Sequence, residues 1–413
     1  MLYALAIYLY TIGVILVSPF HRKARLLVKG HWDTFRILRH QVDKNAQYVW
    51  FHAASLGEFE QGRPLIERMR REHPEYKILL TFFSPSGYEV RKNYQGADIV
   101  CYLPFDTPGN VLSFFRLVKP KMAFFIKYEF WLNFIIAMRH HHIPVYSVSS
   151  IFRPNKIFFR WYGIGYAQVL KYITHFFVQD EESRELLAKR GICNNVTIVG
   201  DTRFDRVLDI CHQAKELPLV ETFAKDAHVV MVAGSSWAPD EDLIIPYFNN
   251  HPNMKLILAP HVIDEAHLQQ IEGKLRRPSL RYTDATPENV AKADCLIVNC
   301  FGLLSSIYRY GHFAYVGGGF GAGIHNVPEA AVYGIPVLIG PNNKGFREAQ
   351  DLLRMGGCFE ITGSTLFNAV VDRLMVDVDL RQRRGRLCRE YIESNAGASD
   401  KIFSIVQFDQ PSS

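Results

Sequence analysis

The sequence predicts an α/β protein, two doubly wound domains in tandem behind an apolar N-terminal helix. Three observations carry that expectation. From residue 47 onward, short β-branched or aromatic runs alternate with helix-length stretches, as strands buried on both faces by crossover helices require. The alternation comes as two series, separated at 205–225 by a polar, mostly helical segment that Pro218 breaks. A chain of 413 residues is also too long for one ordinary core and suits two.

Residues 1–20, MLYALAIYLYTIGVILVSPF, carry no charge, and 16 of the 20 are apolar. A helix of that length, about 30 Å, matches a hydrocarbon core. The basic run HRKARLLVK follows at once. A secretory signal would place its charge ahead of the apolar stretch, so a retained anchor is expected, with the rest of the chain in the cytoplasm. Tyr3, Tyr8 and Tyr10 equally suit a helix lying in one leaflet. The strands of the first series are expected at 48–55, 77–84, 98–105, 121–130, 143–150, 175–180 and 196–201. Those of the second are expected at 228–235, 255–261, 295–300, 312–319 and 335–341. A charged helix and an apolar stretch close the chain at 381–408, and the tail QPSS is expected to fray. The resulting division is 1–30 anchor and basic collar, 31–210 first domain, 211–385 second domain, 386–413 terminal helix and tail.

Charge sharpens this picture. The net charge is +6, yet residues 1–45 hold seven Lys or Arg against Asp33 and Asp43, which leaves the other 368 residues near neutrality. A dispersed nucleic-acid surface is therefore not expected, and an anionic membrane surface is the expected partner of the collar. The seven cysteines are scattered without a Cys-x-x-Cys pair, which suits reduced thiols rather than a disulfide framework or zinc site. His140–His142 precede Ile143-Pro144 and read as an exposed helix C-terminus.

Open α/β sheets keep their sites where strands end, and four such places stand out. In HAASLGEFEQG (52–62) a strand runs into small residues and Glu58 opens a helix. That carboxylate is either a dipole-stabilised helix start or a general base, given burial or a second acid to raise its pKa. Glu129 is the one acid in FFIKYEFWL, where Lys127 or Arg153 is its expected partner. In VGGGFGAGIHNVPEAAVYG (316–334) five glycines lie between Gly317 and Gly323, and a helix starts near Asn326 with Pro328 and Glu329 in its first turn. Such a loop admits a phosphate to backbone N–H groups, and Glu329 suits a sugar hydroxyl pair. Finally, AGSSW (233–237), APH (259–261) and CFGLL (300–304) converge on one sheet edge as a candidate nucleotide cleft, with Ser235, Ser236 and His261 as donors.

Taken together, these segments resemble the Kdo transferases, the 3-deoxy-D-manno-octulosonic acid transferases of lipopolysaccharide assembly. The resemblance runs to about residue 360 and is most specific in HAASLGEFEQG, GDTRFD (200–205) and GIHNVPEAAVYGIPVLIGPNNKGFREAQDLL (323–353). It implies the GT-B fold, two Rossmann-like domains facing a cleft, with acceptor in the first and nucleotide sugar in the second. It implies transfer of Kdo from CMP-Kdo to the lipid A precursor (lipid IVA), with inversion, at the cytoplasmic face of the inner membrane, without cofactor or metal. Glu58 matches the family's general base, Glu129 an acidic active-site residue, and Arg203 the place of a Lys that stabilises the transition state. The CMP-contacting segments correspond to Pro260-His261, Phe301-Gly302-Leu303 and Asn326-Val327-Pro328-Glu329. Two of these depart from the family pattern: His261 stands where Arg is usual, and Leu303 where Glu is usual.

Other readings predict different things. A GT-B transferase using a UDP-sugar on a lipid acceptor would be competed by UDP rather than CMP. Gly317, Gly319 and Ala322 fit the dinucleotide fingerprint G-x-G-x-x-A, but that motif needs an acid closing the next strand, and IPVLIGP has none. A non-catalytic lipid-binding protein would tolerate Glu58→Gln.

Overall fold

A computed structural model of the chain describes residues 2–408; Met1 and 409–413, with the tail QPSS, lie outside the described residues. The chain divides into two units. One comprises residues up to Arg206 together with Gly397 onward, and the other comprises Val207–Ala396.

The first unit contains seven parallel strands: β1 Gln47–Ala53, β2 Tyr76–Phe82, β3 Ile99–Tyr102, β4 Pro120–Ile126, β5 Val145–Ser150, β6 His175–Val178 and β7 Val196–Ile198. Their order is β3-β2-β1-β4-β5-β6-β7, so the winding reverses between β1 and β4. Strand alternation splits the core into two layers. Tyr48 and Trp50 of β1 point into one layer with Phe114, Phe125 and Phe134. Val49, Phe51 and Ala53 point into the other with Phe59 and Phe124. The second layer is completed from the far end of the chain, by Ala398, Ile402, Phe403 and Val406.

The second unit repeats the scheme with β8 Val229–Ser236, β9 Met254–Pro260, β10 Ser279–Arg281, β11 Cys295–Ile297, β12 Phe313–Val316, β13 Val337–Ile339 and β14 Cys358–Glu360. The order is β10-β11-β9-β8-β12-β13-β14, again all parallel, and the reversal falls between β8 and β12. All twelve expected strands are present. The two unexpected ones, β10 and β14, are three-residue edge strands.

The structure redraws the division read from the sequence. The N-terminal helical segment does not end at residue 30: helix α1 covers Leu2–Val17, and α2 runs unbroken over Arg22–Gln41. In α2, Thr34 Oγ1 donates to the Tyr102 carbonyl at 2.8 Å, and a Cβ on Gly30 would meet the Tyr102 ring at 2.1 Å. Close packing on the sheet, not charge, thus decides where α2 belongs. The limit at 210 falls at Arg206, and the one at 385–386 moves to Ala396, because helix Ala398–Ile405 buries its apolar side in the first unit. With 16 residues, α1 is about 24 Å long, and the chain bends by 120° into α2. Among the described residues no single helix is long and apolar enough to cross a membrane.

Candidate active site

In the first unit the functional side chains gather where the winding reverses. Helix α3, Leu56–Glu72, starts directly after β1, and Glu58 occupies its first turn. Glu58 is buried, and its Oε2 accepts the Ala54 N–H at 2.6 Å. Burial raises its pKa above the usual carboxylate value, while the Ala54 and Ser55 N–H groups and Lys127 pull the other way. A carboxylate whose proton affinity is raised by burial is a stronger proton acceptor than an exposed one.

Glu129 lies past β4 rather than inside it, since the strand ends at Ile126. Burial pushes its pKa up to about 7, the charge of Glu58 acts in the same direction, and Lys127 opposes both. The two carboxylates therefore share one electrostatic environment. Lys127 bridges strand and loop in a left-handed conformation, φ 62°, which a side chain adopts only when its surroundings hold it. Its N–H donates to Val148 O at 2.8 Å, and its carbonyl accepts the Ser147 and Ser150 hydroxyls. Arg153, the other partner expected for Glu129, pairs instead with Asp180 and Glu182.

Arg203 opens helix Arg203–His212. Its backbone N–H and its Nε both donate to Asp201, each at 2.9 Å. Asp201 in turn accepts the Gln61 amide at 3.2 Å, and the Thr202 hydroxyl donates to the Gln61 carbonyl. Gln61 sits one turn beyond Glu58, so Arg203 and the base are braced on the same helix. Its cation is half-exposed and shared with Asp201, a partner the sequence did not announce.

In the second unit the glycine run follows β12 at the reversal beside β8. Asp240, fully buried, accepts the Gly318 N–H, the Trp237 N–H and the Tyr315 hydroxyl. The glycines are steric necessities here. A Cβ on Gly317 would lie 2.3 Å from Ser235 O, and one on Gly319 would lie 2.6 Å from Gly340 Cα. Gly319→Ala should therefore destabilise this unit by about 1–3 kcal/mol or displace the loop, measurable by denaturant unfolding; unchanged stability would mean the backbones are free to separate.

His261 follows Pro260, the last residue of β9, and donates its N–H to Ser236 O at 2.9 Å. Its ring stacks against those of both Trp237 and His325, with centroids 4.5 Å from each. Trp237 Nε1 donates to His325 Nε2 at 3.0 Å, and burial, with His261 second, lowers the His325 pKa. The Pro260-His261 and Asn326–Glu329 segments are thus brought to one edge. Val327 and Pro328 are buried, which leaves backbone rather than side chain to meet a ligand, and Asn326 donates to Glu329 at 2.7 Å. Phe301 is 80% exposed, Gly302 takes the left-handed φ of 85°, and Leu303 leads into helix Leu304–Ile307 beside Gly234. Ser236 does not serve as a phosphate donor, because its hydroxyl is buried and given to Glu241. Trp237, Asp240 and His325 were missed by sequence reasoning. Only their positions, directly after the β8 run and inside the glycine loop, could have marked them. Among the described residues, no group of three His, Cys, Asp or Glu side chains could hold a metal ion.

Two Rossmann-like units, each with its polar side chains at the point of reversed winding, define a protein of the GT-B fold. Solved structures of the same fold include the UDP-GlcNAc 2-epimerase from Neisseria meningitidis (TM-score 0.59, 15% identity, 87% of this chain and 99% of that one) and MurG from Acinetobacter baumannii (TM-score 0.55, 10% identity, 87% and 100%). Residues 31–206 match the family model of the 3-deoxy-D-manno-octulosonic-acid transferases. The 3-deoxy-D-manno-octulosonic acid transferases of Aquifex aeolicus (29% identity, 81% of this chain and 88% of that one) and Haemophilus influenzae (23%, 87% and 87%) match it over most of its length. This chain is thus similar to the Kdo transferases, over 31–206 to their family model and over most of its length to individual members.

Proposed function

We propose that this protein transfers Kdo from CMP-Kdo to the lipid A precursor, with inversion. The observation that carries the reading is the pair at the reversal of the first sheet, Glu58 buried and Glu129 half-buried, both with raised proton affinity, in a chain similar to this family. The acceptor hydroxyl oxygen bonds to the anomeric carbon of Kdo and gives its proton to Glu58. The bond from that carbon to the CMP phosphate oxygen breaks, and CMP leaves with the electron pair. Arg203, His261 and backbone N–H groups near Asn326 are assigned to the leaving phosphate, and no metal is needed for a single phosphate. Incubation of the purified protein with CMP-Kdo and lipid IVA, read by mass, tests this: the product gains Kdo, and an unchanged acceptor would overturn the reading.

The donor contact has its own signature. A guanidinium carries a permanent charge and a planar fork of donors that an imidazole lacks. His261→Arg should therefore lower the KM for CMP-Kdo relative to the parent enzyme, read by steady-state kinetics. An unchanged KM would remove His261 from the phosphate.

For location we propose the cytoplasmic face of the inner membrane, with α1 lying along one leaflet. In support, Leu5, Leu9, Ile12 and Leu16 on α1 are exposed, and Arg22 and Lys23 directly behind it face solvent, where anionic head groups would lie.

A further inference from the structure

Residues 157–164 form a hook that is anchored on one side and exposes four large side chains on the other. Two 3-10 turns, Ile157–Phe159 and Trp161–Gly163, lead into the short helix Ile164–Ala167. Gly163 lies so close to the Ile157 carbonyl that a Cβ would stand 1.8 Å from its oxygen. Phe158 is buried and stacks on Tyr166 at 5.4 Å, and the Tyr166 hydroxyl donates to the Phe130 carbonyl. With the inner side so anchored, Trp161 is 82% exposed, Tyr162 63%, Ile164 52% and Ile157 45%. One such residue needs no explanation; four within eight residues on a rigid turn mark an interaction surface.

The surroundings specify the partner. From 151 to 178 the chain carries Arg153, Lys156, Arg160 and Lys171 and no acidic residue. Tryptophan and tyrosine prefer the boundary between water and hydrocarbon, and basic neighbours favour anionic head groups. The hook also adjoins α1: Tyr3 stacks on Tyr166 at 5.7 Å. A cavity of about 250 Å³ has Tyr3 and Ile7 of α1 on one wall and Ile157 and Phe158 on another, and Glu129 lines it too.

We propose, building on the membrane reading of α1 given above, that the Ile157–Ile164 hook is a second membrane-contact element, seating Trp161 and Tyr162 at the head-group boundary of an anionic bilayer beside α1. The cavity between hook and helix then opens at the lipid surface, with an active-site carboxylate in its wall.

The test uses the full chain and vesicles of phosphatidylethanolamine and phosphatidylglycerol carrying brominated acyl chains, which quench tryptophan at the boundary. The emission lost on replacing Trp161 with Phe is the Trp161 signal, and it should be quenched by half or more on vesicle binding. The double variant Trp161→Ser/Tyr162→Ser should bind these vesicles at least about tenfold more weakly, with an unchanged thermal transition. Vesicle binding without quenching of Trp161 would overturn the hook and leave α1 as the sole attachment. Failure of the parent protein to bind vesicles at all would overturn the membrane reading itself.

Discussion

Glu58→Gln lowers the rate of Kdo transfer by about 10²- to 10⁴-fold, the range that general base catalysis contributes, while CMP binding to the second unit is unchanged. The amide keeps the size of the side chain and its acceptor for the Ala54 N–H but cannot take the acceptor's proton. Calorimetric titration with CMP separates this outcome from a folding defect. A variant that retains transfer within about threefold would exclude Glu58 as the base and revive a non-catalytic reading of the site.

Glu129→Gln makes the protein more stable at pH 8, by at most about 3 kcal/mol, from the difference between an ordinary glutamate pKa and the value near 7 imposed by burial. The sign follows from proton counting. Between those two values the folded state holds a proton that the unfolded state has released, so stability falls as pH rises through the interval. The amide that replaces the carboxyl is neutral throughout, and the advantage of the variant therefore vanishes below about pH 4. Urea unfolding at several pH values reads this directly, and a difference that does not grow with pH would refute it. Because the charge of Glu58 is one cause of the raised Glu129 value, the variant should keep whatever limb of the rate profile Glu58 sets. What it loses is any inflection near 7.

The sequence made the strands legible because their apolar runs are buried on both faces, which leaves little ambiguity about layer or direction. The edge strands SLR and CFE were hidden for the opposite reason: Ser279 is exposed and Arg281 is committed to Glu265 and Glu272. Glu58 was readable from its place behind a strand and a run of small residues. Glu129 was readable as an acid among aromatics, though the left-handed turn at Lys127 that carries it off the strand is a tertiary effect. Asp201, Asp240 and the stacked rings around His261 escaped notice because each acts through partners distant in sequence. His325, for instance, meets Trp237 across 88 positions. Motif reading finds residues at strand ends; it does not find what they lean on.

The return of the chain to the first unit has a consequence for synthesis on the ribosome. Asp205 accepts the N–H groups of Gly397, Ala398 and Ser399, and the helix they open covers one layer of the first core. The first unit to emerge is thus finished only later: Glu58 and Glu129 wait on residues translated after the whole of Val207–Ala396. Val207–Ala396, by contrast, is continuous and can close as soon as it is made. A product stopped before Ala398 would leave an apolar face of the first sheet uncovered, a ready substrate for chaperones and proteases, so an incomplete chain marks itself for removal.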